Sequence, residues 1–163
     1  ESLTDFQREI EEAELDSGLS LGLNVRTETR AFGEFGDAEL KPLSPNLSEK
    51  DRIGIWKKMQ SVNPDAGTPD YLSLEKIKEM LTPEYMEELK QKTRRKVVVV
   101  LSDGVSHDQA RYTRASEELK KHGIILIDLG MMTSARPDAE VVDDIKKLPE
   151  AVQKVILKYT QDL

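Results

Sequence analysis

Apolar and polar residues divide this chain into segments of two periods. Leu3, Phe6, Ile10, Ala13 and Leu15 recur at helical spacing with acids on the other face, which predicts an amphipathic helix ending near Gly18. Leu19 to Phe35 carries Leu21, Leu23, Val25, Thr27 and Thr29 in alternation, the period of a strand, punctuated by Gly33, Gly36 and Asp37. Ala38 to Pro45 has room for a short edge strand, because Pro42 and Pro45 keep it out of a sheet interior. Ser48 to Met59 reads as a short helix with Ile53, Ile55 and Trp56, followed by a turn-rich loop from Asn63 to Asp70. Helical spacing returns from Tyr71 through Leu72, Leu74, Ile77 and Leu81, and Thr82-Pro83 marks a fresh helix start.

The second half centres on Lys96-Val-Val-Val-Val-Leu-Ser-Asp-Gly104. Five consecutive apolar residues predict a strand buried on both faces, as in the middle of a parallel sheet. A helix from about Asp108 to Lys121 ends at Gly123, and Ile124 to Gly130 is a second apolar strand that contains Asp128. After a loop with Met131, Met132, Arg136 and Pro137, a helix is predicted from about Asp138 with Val141, Val142 and Ile145. Pro149 breaks it, and a last helix runs through Val152, Val155, Ile156 and Tyr159. Strands alternating with helices give an α/β fold with a mainly parallel sheet. In such sheets ligands gather at the carboxyl ends of the strands. Asp103 therefore stands either where binding or chemistry occurs or as a cap of the following loop or helix.

Length and charge narrow the picture. The 163 residues suit one domain, 1–163, and no run approaches the ~20 apolar residues of a membrane-spanning helix. A net charge of −7 argues against a nucleic-acid binder that works through a broad basic patch. The cluster from Lys90 to Lys96 reads as a solvated helix end. Cysteine is absent, which excludes disulfides and thiolate–metal sites and leans toward a cytoplasmic location. The chain opens on Glu1-Ser-Leu-Thr inside a helical pattern, which predicts that further sequence precedes it in the natural protein.

Three motifs fall in a recognisable order: Phe32-Gly-Glu-Phe-Gly-Asp37 after a strand, Gly67-Thr-Pro-Asp70 opening a helix, and Leu101-Ser-Asp-Gly104 ending the central strand. In this order and spacing the chain resembles a von Willebrand factor type A (VWA) domain over nearly its whole length. The resemblance implies a doubly wound, Rossmann-like sheet flanked by helices, with a metal-ion-dependent adhesion site (MIDAS) at the carboxyl ends of its strands. Of that site's residues, the threonine matches Thr68 and the aspartate matches Asp103. Hydroxyl and carboxylate oxygens suit Mg²⁺, and a site poor in protein carboxylates leaves the ion able to accept an acidic group from a partner.

The sequence departs from the family at its start. No Asp-x-Ser-x-Ser motif follows a first strand, and Asp16-Ser-Gly-Leu-Ser20 reads as a helix C-terminal turn. With the first strand apparently missing, Thr68 and Asp103 are expected to hold Mg²⁺ weakly or not at all. In the family's strand order the absent strand would lie between the Leu19–Phe35 and Val97–Leu101 strands. Its slot is expected to be filled by an upstream segment of the same protein.

The remaining candidates are weaker. His107 reads as surface decoration or a ligand contact, and His122 as a helix-end residue. Ser102 or Ser106 with a histidine base would make a nucleophilic pair, which sequence proximity alone does not establish. Trp56, Met131 and Met132 could form a contact surface, with core packing the expectation for Trp56. No phosphate-cradling Gly-Lys-Thr/Ser motif is present. The reading is therefore a non-catalytic protein-binding module, whose partner contributes an acidic residue. The resemblance further implies an intracellular assembly with an AAA+ ATPase or a metal chelatase. The alternative is a Mg²⁺-dependent phosphoryl-transfer enzyme that uses Asp103.

Overall fold

The computed structural model describes residues 26–33, 36–45, 48–61, 67–131 and 139–160. The expected N-terminal helix, the Asp16–Ser20 turn, Met132, Arg136 and Pro137 lie outside them. Among the described residues five strands form two sheets. Strands β1 (Thr27–Gly33) and β2 (Gly36–Ser44) make an antiparallel hairpin, and helix α1 (Glu49–Met59) follows. Helices α2 (Asp70–Glu79) and α3 (Pro83–Lys90) lead to β3 (Val97–Ser102). Helix α4 (Gln109–Lys121), β4 (Ile125–Met131), β5 (Glu140–Val142) and α5 (Leu148–Thr160) complete the order, with a 3₁₀ turn at Ile145–Lys147. The class is α/β, with β3, β4 and β5 pairing in parallel in that order.

Local chemistry explains the boundaries. Ser48 and Asp51 form a reciprocal capping box at the start of α1. Thr82 caps α3 ahead of Pro83, where the missing proline N–H costs nothing. Asp108 caps α4 by accepting from the Arg111 N–H at 3.0 Å. Gly123, at φ 79°, closes the same helix: its N–H donates to Lys120 O, and the Ile124 N–H reaches back to Leu119 O.

The core lies on both faces of the β3–β4 pair. On one face Val98 and Val100 pack with Leu74 and Ile77 of α2, Leu89 of α3, and Tyr112, Ala115 and Leu119 of α4. On the other, Ile127 and Leu129 pack with Val97, Val99, Ile125 and, from α5, Leu148 and Val152. Each large aliphatic side chain so buried contributes roughly 1.5–3 kcal/mol. Asp128 falls on the α4 face, where the Tyr112 hydroxyl donates to its Oδ1, so this carboxylate inside an apolar strand is hydrogen-bonded.

Several expectations are corrected. The central strand is not buried equally on both faces: Val98, Val100 and Ser102 are buried, Val97 and Val99 are half-buried, and Leu101 is 39% exposed. Trp56 is not a core residue but is 62% exposed, because α1 rests on β2 by its opposite side. Glu140–Val142 is a strand rather than part of a helix, since it gains backbone pairing with Leu129–Met131. Pro149 does not separate two helices but sits in the first turn of α5, where it is tolerated. The second strand of the hairpin is also longer than expected, and β1 and β2 form a sheet of their own, apart from the sheet of β3.

Candidate functional site

The site candidates gather at the carboxyl end of β3. The strand's last residue, Ser102, is buried, and its hydroxyl donates to Gly104 O (3.0 Å) while accepting from the Gly104 N–H (3.3 Å). This tight turn leaves Asp103 at the surface of the strand end. Gly104 faces Thr68: a methyl group at its Cα would stand 3.8 Å from the threonine Oγ1. The loop that opens α2 and the loop that follows β3 are therefore in contact, with Thr68 and the residue after Asp103 as neighbours.

Two polar contacts hold these loops together. The His107 backbone N–H donates to Thr68 O at 2.8 Å. The Ser106 hydroxyl donates to Asp70 Oδ1, which also accepts from the Tyr71 N–H. Both partners are deeply buried, Asp70 at 1% and Ser106 at 6% exposure. A carboxylate taken so far from water persists only with hydrogen-bond donors around it. Gly67 completes the junction. At φ 81° it suits glycine, and a Cβ there would meet His107 Nδ1 at 3.3 Å. On the outer side, Arg111 of α4 pairs with Glu75 of α2 and stacks 4.3 Å over Tyr71, fixing the two helices that begin at this rim.

These observations decide several roles. His107 lies against the Gly67–Thr68 loop, whereas His122 sits at the C-terminus of α4. The hydroxyl protons of Ser102 and Ser106 are directed at a carbonyl and a carboxylate, not at an imidazole. Thr68 and Asp103 supply one hydroxyl and one carboxylate, the hard oxygen chemistry that suits Mg²⁺. Among the described residues no group of three or more histidines, aspartates or glutamates is disposed to hold a metal ion. An ion here would rest on these two donors, on water and on a group brought from outside.

What sequence reasoning missed is the pairing of Asp70 with Ser106, which joins the loops. The chain matches no known family model, and no curated protein matches it. Among the described residues no helix is long and apolar enough to cross a membrane.

Proposed function

We propose that this chain is a non-catalytic protein-binding module on a doubly wound sheet of the von Willebrand factor type A kind, with an incomplete metal-ion-dependent adhesion site at the carboxyl end of β3. The observation that carries this reading is the junction of the Gly67–Asp70 and Ser102–His107 loops, in which Thr68 faces Gly104, the residue after Asp103. Helices on both faces of the parallel β3–β4 pair also support it. Thr68 and Asp103 are the donors that would hold Mg²⁺, weakly. An ion held there would supply a positive centre for a partner's acidic side chain.

The rest of the work falls to the chain's own residues. Asp70 and Ser106 hold the two loops at a fixed separation, and the turn closed by Ser102 and Gly104 presents Asp103 outward. The partner belongs to an intracellular, cytoplasmic assembly built around an AAA+ ATPase or a chelatase, an assignment that rests on the resemblance in sequence.

Affinity capture from cell extract with and without Mg²⁺ or Mn²⁺ tests the proposal. A partner retained in a metal-dependent way, and lost with Asp103→Asn, is expected. Turnover of a phosphoester that Asp103→Asn abolishes would replace this reading with a phosphoryl-transfer enzyme.

A further inference from the structure

Helix α1 keeps its most apolar side outward. None of its residues is buried, and Ile53, Trp56 and Met59 are 49%, 62% and 50% exposed. A helix turns 3.6 residues per revolution, so these three positions form one stripe about 120° wide. The stripe is opposite Lys58, whose ammonium donates to Glu39 O and Leu40 O at 3.0 and 3.1 Å and fastens the helix to β2. The same geometry sets Lys50 and Lys57 along the Ile53 border, Arg52 between Trp56 and Met59, and the acid Glu49 between Ile53 and Trp56. An apolar surface fringed by cations is unusual in a chain of net charge −7.

The sequence contains a segment of complementary chemistry. Residues 1–16 lie outside the described residues, but they carry Leu3, Phe6, Ile10 and Ala13 at helical spacing, and seven acids against the single base Arg8. Glu9 and Glu14 fall on either border of that apolar stripe. The tether is short. Thr27, near the start of the described chain, pairs with Ser44, only four residues before Ser48, the cap of α1. Ten residues extend at most about 33–36 Å, while an 11-residue helix is about 16 Å long. Every point of α1 is within reach, and a tethered partner acts at an effective concentration on the order of millimolar.

We propose that the Ile53–Trp56–Met59 face of α1 is the docking surface for the acidic amphipathic segment at residues 1–16 of this same chain. Apolar stripe meets apolar stripe, and the segment's flanking acids meet Lys50, Arg52 and Lys57. The inference is independent of the strand-end site. Salt weakens the charged fringe but not the apolar contact.

Trp56 is the chain's sole tryptophan, so its fluorescence reports on this surface alone. The experiment compares emission maximum and acrylamide quenching in the full chain, in the full chain with Phe6→Asp and Ile10→Asp together, and in Lys57→Glu. The unmodified chain should emit at short wavelength, protected from quencher. The double variant should shift to the red and quench severalfold more, and Lys57→Glu, which alters only a border charge, should shift the same way by less. A water-exposed emission in the unmodified chain that neither variant changes would overturn the proposal. So would a blue-shifted emission lost on dilution, because the occupant would then be a second copy.

Discussion

The parallel layer of β3, β4, α2 and α4 and the hairpin with α1 are held by opposite means. In the parallel layer Leu74, Leu119 and Leu129 are at most 1% exposed, and the cohesion is apolar contact on both sides of a two-strand pair. In the hairpin, Leu40 is the buried large apolar side chain among the described residues, and α1 buries nothing. Polar networks take the place of a core. Arg30 holds Asp37 through Nε at 2.8 and 2.9 Å and also reaches Glu28, while Ser73 of α2 donates to Asp37 Oδ1 at 2.6 Å. Lys41, 2% exposed, donates to Thr27 O, Pro42 O, Ser44 O and the Ser44 hydroxyl. Apolar cohesion tolerates changes of charge and fails with lost volume. The hairpin should respond in the reverse order.

The largest effect is expected at Leu119, which is fully buried under β3. Leu119→Ala should cost roughly 2–5 kcal/mol, read as a lower denaturation midpoint for the whole chain. A cost below about 1 kcal/mol would mean that the layer is not the centre of cohesion.

Lys41→Met keeps the volume and removes the donor. It should cost about 1–3 kcal/mol, because the carbonyls of Thr27 and Ser44 lose a buried partner. Hydrogen exchange should localise the change to β1 and β2, with β3 and β4 protected as before. Burial lowers the Lys41 ammonium pKa from its ordinary value, against the opposing pull of Asp51 and Glu28.

A smaller effect is expected from pH. Burial works to raise the Asp37 carboxyl, but hydrogen bonds from Arg30 and Ser73 outweigh it and hold the group below its ordinary value. A carboxyl lowered by folding binds fewer protons in the folded chain than in the unfolded one. Its contribution is therefore complete above the unfolded pKa of about 3.9 and is lost as pH falls through the folded value. Stability should drop more steeply below about pH 4 in the unmodified chain than in Asp37→Asn. Urea midpoints at successive pH values measure this, and parallel curves would remove Asp37 from the network.

The same contrast governs what could be read in advance. The apolar runs of β3 and β4, the period of α4, the helix starts at Thr82 and Asp108 and the stop at Gly123 were legible, because packing and capping use short-range pattern. Trp56 was not. An aromatic residue on a short helix looks like core until the layer it would need is known. Glu140–Val142 carries spacing that suits a helix as well as a strand, and only pairing with Leu129–Met131 decides it. Lys41 lies in a segment read only as a short edge strand, where nothing local marks it as enclosed, yet it is enclosed beside irregular pairing at Thr27 and Thr29. At the site, Asp103 stood out as a carboxylate closing an apolar run. The Asp70–Ser106 pair spans 36 residues, and no local pattern announces such a contact.

The most direct test of the central claim is paramagnetic broadening of backbone amide signals during a Mn²⁺ titration of the full chain, with and without a short glutamate-bearing peptide. The amides of Thr68, Asp103 and Gly104 should broaden first, at lower Mn²⁺ when the peptide is present, and Asp103→Asn should abolish the preference. Broadening confined to other acidic surfaces, or equal at these positions with and without Asp103, would contradict a metal-dependent binding site at the end of β3.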